Sequence, residues 1–259
     1  MNSLRSYLDF ITSTAYRAGR ITLGYFNTDI QPEFKADDTP VTKADKQAEQ
    51  FIRGEIERAY PTHAVVGEEF GGNSAQGQSF RWIIDPIDGT KSFMRGVPLY
   101  AVLLGLEIEG EIRVGAAYFP ALDEMLCAAD GLGCWWNGRR ARVSNIASIR
   151  KACICYTTWK NFSHRDPGLF ERLSSATYML RGWSDAYGYL LVATGRAEVM
   201  LDLLMKIWDC GPFPVVLREA GGYFGSWQGE EGHTHGEGFA CNRALKEDVL
   251  AILNPAPGS

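Results

Sequence analysis

The chain has 259 residues, of which 46% are hydrophobic and 22% charged, so it can bury one large core or two packed lobes. Its formal net charge of −5 and the lack of a basic block argue against nucleic acid or an anionic membrane as a partner. No stretch approaches the ~20 consecutive apolar residues of a membrane span, and the amphipathic N-terminal stretch lacks a signal-peptide pattern.

The chain has six cysteines, and none of them forms a CxxC pair. Cys153 and Cys155 are two residues apart, as same-face residues of a buried strand would be. We therefore predict six reduced core thiols in a cytoplasmic protein.

The first half of the chain predicts an α+β lobe. Apolar residues at roughly helical spacing predict a helix over residues 3–25, and Thr42 is a plausible N-cap for a second helix that stops before Pro61. A short strand then leads through GEEFGG into a glycine-rich polar loop, and WIID forms the next strand. Two β-hairpins follow, the first with its turn at Glu109 and Gly110.

From about Ala152 the pattern changes to alternating strands and helices, which predicts an α/β lobe. The predicted strands are ACICYTT, TYMLR, AEVMLD and GFACN, and the predicted helices lie near residues 167–175 and in SDAYGYLLVATG, PFPVVLREAGG and RALKEDVLAIL. We place most candidate metal ligands in an α+β lobe of residues 1–145, and the leaving-group pocket in an α/β lobe of residues 146–259.

Acidic residues occur in four stretches where they invite both structural and functional interpretations. Asp45 lies three residues after Thr42 and can complete a capping box. Asp209 precedes a glycine and two prolines and can be a helix N-cap. Glu68 and Glu69 can form a solvated turn. These alternatives stay open at this point.

The stretch WIIDPIDGT is the hardest to explain structurally, because a buried strand delivers Asp85 to the edge of a sheet. The proline after Asp85 stiffens the turn, so that Asp85, the Ile87 carbonyl and Asp88 can point into one pocket. Gly89 allows close backbone approach, and the free N–H groups that follow can receive an anion.

Several converging carboxylates predict a metal site. Two of them about 4 Å apart repel by roughly 4 kcal/mol at an effective dielectric constant of 20, and a divalent ion relieves this repulsion. Oxygen ligands without histidine or cysteine favour a hard cation, Mg²⁺ or Mn²⁺, over zinc.

The motifs GEE, WIIDPIDGTKSF, WD and EAGG, in this order, resemble the inositol monophosphatase family of Mg²⁺-dependent, lithium-sensitive phosphatases. The resemblance implies a layered αβαβα sandwich, usually dimeric. It also implies one Mg²⁺ held by Glu68, Asp85 and the Ile87 carbonyl, and a second held by Asp85, Asp88 and Asp209. A third, weaker ion would lie near Glu68 with mostly water ligands.

The same resemblance implies which residues activate the water and which bind the phosphate. Asp45 and Thr90 would orient and polarise the attacking water, with Glu68 as a further catalytic residue. Asp88 and the N–H groups of Gly89 and Thr90 would bind the phosphate. This chemistry requires positioning and charge neutralisation, not a histidine or cysteine nucleophile.

Two further assignments concern the periphery of this site. Lys35, in EFKADDTPVT, matches a lysine of the family's mobile flap. The four histidines lie in loop-like stretches without a motif, and we interpret His233 and His235 as part of a solvated loop.

The leaving-group pocket departs from the inositol-type pattern of small, uncharged residues, because this chain has Trp183, Ser184 and Asp185 there. It looks more like the histidinol-phosphate phosphatases of the family. Asp185 and Asp202 can pair with the ammonium and imidazole of histidinol, and Trp183 can pack on the ring. Alternatively, Asp185 caps the helix that begins at Ala186.

Three functions therefore remain open. The first is a Mg²⁺-dependent histidinol-phosphate phosphatase of histidine synthesis, homodimeric, acting on a small-molecule phosphate monoester. The second is a broader inositol- or sugar-phosphate phosphatase. The third is a non-catalytic phosphate- or metal-binding protein, against which the intact Asp45 and Thr90 pair argues.

Overall fold

The computed structural model describes residues 3–36, 39–72, 79–183 and 185–255. Its α-helices are α1 (Leu4–Leu23), α2 (Lys43–Ala59), α3 (Thr90–Met94), α4 (Trp159–Arg165), α5 (Leu169–Ala176), α6 (Ala186–Ala193), α7 (Ile207–Cys210), α8 (Phe213–Glu219) and α9 (Lys246–Leu253). Its strands are β1 (Glu33–Phe34), β2 (Pro40–Val41), β3 (Ala64–Gly67), β4 (Gly71–Gly72), β5 (Phe80–Asp88), β6 (Ala101–Ile108), β7 (Glu111–Phe119), β8 (Glu124–Ala129), β9 (Gly133–Trp136), β10 (Arg139–Arg140), β11 (Cys153–Tyr156), β12 (Met179–Arg181), β13 (Val199–Asp202), β14 (Gly222–Gly225) and β15 (Gly238–Asn242).

Two large sheets organise the described residues. An eight-stranded sheet has the order β10-β9-β8-β7-β6-β5-β3-β4, and a five-stranded sheet has the order β12-β11-β13-β15-β14. In the larger sheet β3 runs parallel to β5 and the other neighbours are antiparallel. In the smaller sheet β11 pairs in parallel with β12 and β13, whereas β15 is antiparallel to both β13 and β14.

The alternation of side chains along the strands produces five layers. Trp82, Ile84 and Leu104 face α1 and α2, whereas Ile83 and Leu103 share the other core with α6 and α8. The smaller sheet covers that second core and buries its own far face against α4, α5 and α9. The predicted layered αβαβα sandwich is therefore confirmed.

Most predicted elements are present, and the differences have local causes. The first helix ends at Leu23, and Thr42 is the N-cap of α2 as predicted. Both turn residues Glu109 and Gly110 have positive φ, which matches the right-handed twist of the predicted hairpin. The elements α3, α4, α7, β1, β2 and β14 were not predicted, because short or glycine-rich segments carry little periodicity.

Other expectations concern the cysteines, membrane-spanning helices and the division into lobes. The six cysteines, all within the described ranges, are free thiols. No helix among the described residues combines the length and hydropathy needed to cross a bilayer. The larger sheet ends at Arg140 and the smaller sheet begins at Cys153. However, α8 packs against β7 of the larger sheet and against β14 of the smaller sheet. The division into lobes at residues 145 and 146 stays a prediction.

Candidate active site and metal centre

The last part of β5 carries the two aspartates of DPIDGT. In a regular strand, residues three apart face opposite sides of the sheet. Here Asp85 pairs with Leu103 and Asp88 with Ala101, so β5 has one residue more than β6 over this span. This bulge turns both carboxylates toward one site, whereas a turn directly after Asp85 was predicted.

Three carboxylates converge at this edge of the larger sheet. One oxygen each of Asp85, Asp88 and Asp209 lies within 4.8 Å of the others. At that distance each pair of ionised groups repels by roughly 3–4 kcal/mol at an effective dielectric constant of 20. The cluster offers only hard oxygen donors, so its chemistry fits Mg²⁺ or Mn²⁺.

Four acids of the site share one bonding pattern, in which one oxygen accepts a hydrogen bond from a backbone N–H group. The pairs are Asp45 with Thr42 at 2.8 Å, Asp85 with Ile87 at 3.0 Å, Asp88 with Ala186 at 2.7 Å and Asp209 with Lys206 at 2.7 Å. This hydrogen bond to one oxygen fixes the orientation of each side chain. The backbone thus preorganises the acids without neutralising them.

Burial and mutual repulsion raise the pKa values of these groups. Desolvation, with added repulsion from Glu68, Asp88 and Asp209, raises the pKa of Asp85 well above its ordinary value. Burial likewise raises the pKa of Asp88 well above its ordinary value, and that of Asp209 to about 7. A bound cation reverses this shift, because it favours the ionised carboxylates.

Asp45 caps α2 and also lies beside the candidate site, so the structural and the functional interpretation are compatible. Its Oδ2 completes the capping box of α2 with Thr42. Its Oδ1 lies 3.5 Å from the Thr90 hydroxyl, which in turn donates to the Ile87 carbonyl at 3.1 Å. Burial raises the pKa of Asp45 to about 6.

Glu68 lies next to the cluster rather than inside the group of three. Its charge raises the pKa values of Asp85 and Asp45, so it is electrostatically part of the site. The ammonium group of Lys35 contacts Glu68 at 2.8 Å and Glu69 at 2.9 Å. The predicted flap lysine therefore reaches the candidate metal ligand from the β1 side.

The predicted substrate residues approach the same site from the smaller sheet. A Cβ added at Gly89 would lie 3.2 Å from Oδ2 of Asp185, so the two residues are adjacent. Asp202, at the end of β13, is buried, and desolvation raises its pKa. Trp183 is 39% exposed, whereas Ser184 lies outside the described residues.

Asp185 has an unusual backbone conformation, with φ 56° and ψ −152°. This region is nearly exclusive to glycine and costs about 1–3 kcal/mol for other residues. Asp185 precedes α6, but within the described part of that helix its side chain accepts no capping hydrogen bond. Asp185 therefore occupies the N-cap position of α6 without the side-chain hydrogen bond of a cap.

Two glycines that the sequence analysis overlooked determine how closely Asp209 approaches the larger sheet. Gly105 and Gly115 are cross-strand partners in β6 and β7. A Cβ at Gly105 would lie 2.4 Å from the carbonyl oxygen of Gly211, and a Cβ at Gly115 would lie 2.7 Å from Cα of Pro212. Glycine inside a strand is a known sign of such close backbone approach.

The loop with two histidines differs from its prediction. His233 is only 8% exposed, and its Nε2 lies 3.1 Å from Glu107, which also pairs with Arg81. The interpretation of His233 as solvated is wrong, because the loop folds over β6. His235 pairs loosely with Glu230 at 3.8 Å and stays peripheral.

In the metal-free protein, we expect Asp209→Asn to raise Tm by about 5 °C or more at pH 8 and by much less at pH 5. The raised pKa of Asp209, about 7, means that the folded protein binds a proton that the unfolded chain releases near pH 4. Below about pH 4 the protonated Asp209 does not oppose folding. Between about pH 4 and pH 7 its contribution to the free energy of unfolding falls as the pH rises, and above pH 7 it stays at its lowest value. Thermal unfolding of both proteins in a chelator checks this, and an equal Tm difference at both pH values would contradict it.

The chain is similar in sequence and in fold to several known proteins. The sequence profile of the inositol monophosphatase family matches residues 3–256. The histidinol-phosphatase of Chlorobaculum parvum is 40% identical over 250 residues, covering 95% of this chain and 96% of the relative. The fructose-1,6-bisphosphatase/inositol-1-monophosphatase of Aquifex aeolicus is 33% identical over 259 residues, covering 97% of both. The solved suhB structure of Bartonella henselae superposes with a TM-score of 0.90 at 26% identity, covering 97% of this chain and 99% of that one.

Proposed function

The chain belongs to the inositol monophosphatase family and is a phosphoric monoester hydrolase, and we propose that it hydrolyses histidinol phosphate to histidinol and phosphate with Mg²⁺. The observation that carries this proposal is the position of Asp185, which extends the acidic cluster from Gly89 toward the smaller sheet. The similarity to a histidinol-phosphatase supports the same substrate.

The proposed metal ligands are Asp85, Asp88 and Asp209, joined by Glu68 and the Ile87 carbonyl. When bound, Mg²⁺ would neutralise the charge of the phosphate and acidify water at the site. A second ion, or a third near Glu68, fits the number of acids present, and Mn²⁺ fits the same oxygen donors.

The contacts of the chain itself support the remaining proposed roles. Thr90, held between the Ile87 carbonyl and Asp45, orients the attacking water, and Oδ1 of Asp45 takes up its proton. In this proposal Asp88 and the N–H groups of Gly89 and Thr90 bind the phosphate. The positive φ of Gly89, 81°, at the N-cap of α3 supports this role, because it is a conformation that glycine adopts without strain. Lys35, in the predicted flap, balances the charge of Glu68, which it contacts at 2.8 Å.

The proposed leaving-group pocket matches the charge of histidinol. Asp185 and Asp202 both add to the negative potential at Asp88. Histidinol carries an ammonium group and a titratable imidazole, and each charge-assisted hydrogen bond to a carboxylate contributes roughly 1.5–3 kcal/mol. Trp183, partly exposed, offers an apolar face for the imidazole ring.

Steady-state kinetics with Mg²⁺ test the proposal. The kcat/KM for histidinol phosphate should exceed that for inositol 1-phosphate, and a strong preference for inositol 1-phosphate would refute the assigned substrate. A broader inositol- or sugar-phosphate phosphatase is then the function to adopt, and the similarity to the Aquifex aeolicus enzyme favours it as the second candidate. A protein that binds Mg²⁺ but hydrolyses no monoester would support the non-catalytic alternative.

We expect Asp185→Asn to raise KM for histidinol phosphate by roughly 10-fold or more, because it removes one charge-assisted hydrogen bond. The KM for a neutral-alcohol phosphate such as inositol 1-phosphate should change little. The matched control is Asp248→Asn, which removes a carboxylate from the exposed first turn of α9. Equal KM changes for both substrates would show that Asp185 does not recognise the leaving group.

Further parts of the proposal concern the cellular setting. We place the enzyme in the cytoplasm, in histidine synthesis, as a homodimer. Lithium is expected to inhibit it by competing for the cation cluster. A dose-dependent loss of activity in LiCl, compared with NaCl at the same ionic strength, is the appropriate measurement.

A further inference from the structure

We infer that Glu49 is a positioning residue that holds the loop carrying Glu68 in place for cation binding. Glu49 lies on α2 one helical turn after Asp45, and its carboxylate is completely buried. This inference rests on the proposed function, because it presumes that Glu68 contributes to a Mg²⁺ site.

The contacts of Glu49 converge on the residues that follow β3. Its Oε2 accepts a hydrogen bond from the backbone N–H of Glu69 at 2.8 Å. Its Oε1 accepts from the backbone N–H of Phe70 at 3.3 Å and from Nε of Arg53 at 2.8 Å. Both carboxylate oxygens are thus engaged by donors, and two of these donors belong to the loop.

Glu68 is consequently held from both sides. Its own N–H donates to the carbonyl of Ile84 at 3.2 Å, which extends the pairing of β3 with β5 by one residue. The two N–H groups that follow it are bound by Glu49. The backbone of Glu68 therefore has a defined position relative to Asp85, the next residue of β5.

The sequence makes room for this arrangement at Gly67. A Cβ at this position would lie 2.2 Å from Oε1 of Glu49, so a larger residue would displace the carboxylate. Glycine at the end of β3 therefore allows the buried acid to reach past the strand to the loop.

The chemistry of the three donors requires a carboxylate. An ionised glutamate accepts on both oxygens, whereas a glutamine amide has one acceptor oxygen and two N–H donors. The Glu49→Gln variant must therefore turn an N–H group toward a backbone N–H or toward Arg53. A buried donor that loses its partner is destabilising, so the loop is expected to move to recover solvent contact.

The position on α2 links two parts of the site. Asp45 and Glu49 are four residues apart and therefore lie on the same helix face. Oδ1 of Asp45 lies near the Thr90 hydroxyl, and Glu49 accepts hydrogen bonds from the loop that carries Glu68. A single helix thus sets the distance between the water-orienting pair and a cation ligand.

The test compares Glu49→Gln with Glu57→Gln, which makes the same chemical change on the exposed side of α2. We expect Glu49→Gln to weaken Mg²⁺ binding, measured by calorimetry on the purified protein without substrate, by roughly 10–100-fold, as for other residues that support metal ligands. The Mg²⁺ concentration for half-maximal activity should rise in parallel, with kcat at saturating Mg²⁺ within a few-fold of wild type. The control variant should match the wild type.

A purely structural role would give a different result. If Glu49→Gln lowers Tm but leaves the Mg²⁺ dissociation constant within about twofold of wild type, the inference is overturned. Should that variant not fold, Glu49→Asp keeps the charge and shortens the reach, and it must show native circular dichroism with weakened Mg²⁺ binding. The kinetics of the wild type with histidinol phosphate decide the proposed function separately, because the inference depends only on the ratio of the Mg²⁺ dissociation constants of variant and wild type.

Discussion

The Asp88→Asn variant is expected to lose at least about a thousandfold in kcat/KM, while its metal-free form becomes more stable than the wild type. A divalent cation contributes several kcal/mol of charge stabilisation in the transition state, and ~4 kcal/mol corresponds to roughly a thousandfold in rate. Asparagine retains the acceptor for the N–H of Ala186, so the substitution removes the charge and little else.

The opposite change in stability distinguishes a cation site from a structural cluster. Asp88 repels Asp85 and Asp209 within 4.8 Å, and removing its charge relieves two repulsive pairs. We expect Tm in a chelator to rise at pH 8, and the Tm increase that Mg²⁺ produces in the wild type to disappear. Asp248→Asn is again the control, and phosphate release by Asp88→Asn at the wild-type rate would refute the metal mechanism.

The Asp45→Asn variant should lower kcat by roughly 10²–10⁴-fold while leaving the affinity for Mg²⁺ nearly unchanged. The asparagine oxygen still accepts from the Thr42 N–H and preserves the cap of α2. Its amide group replaces Oδ1, so the Thr90 hydroxyl faces a donor in place of a proton acceptor.

Calorimetry with Mg²⁺ and steady-state kinetics on the same preparations separate the two variants. Asp88→Asn should lose both Mg²⁺ affinity and catalytic activity, whereas Asp45→Asn should lower kcat alone. A loss of Mg²⁺ affinity in Asp45→Asn would make Asp45 a cation ligand. An unchanged kcat would leave it with the capping role alone.

The local sequence was sufficient for much of the fold and for the choice of candidate acids. Helical periodicity predicted α1 and α2 closely, and the Glu109-Gly110 turn marked the hairpin of β6 and β7. Short elements such as α4 and β14 were missed, since their limits depend on the sheets against which they pack.

Two residues near the candidate site are marked by the sequence pattern alone. Glu49 continues the series of Asp45, Ile52 and Ile56 on the buried face of α2, which marks it as a buried acid. Gly105, inside a strand, signals a close backbone contact. In both cases the pattern indicates burial or closeness but not the partner.

The sequence by itself determined the residue types, namely a set of acids around DPIDGT with glycine and proline at the positions where the backbone must turn. Only the tertiary structure decided which oxygen of each acid binds the backbone and which is directed at the site. It also decided that Asp185 lies beside Gly89 and that His233 is buried on Glu107. The physical reason is that the contacts of Asp185 with Gly89 and of His233 with Glu107 join segments about a hundred residues apart. Their geometry follows from the packing of whole layers, which local periodicity does not encode.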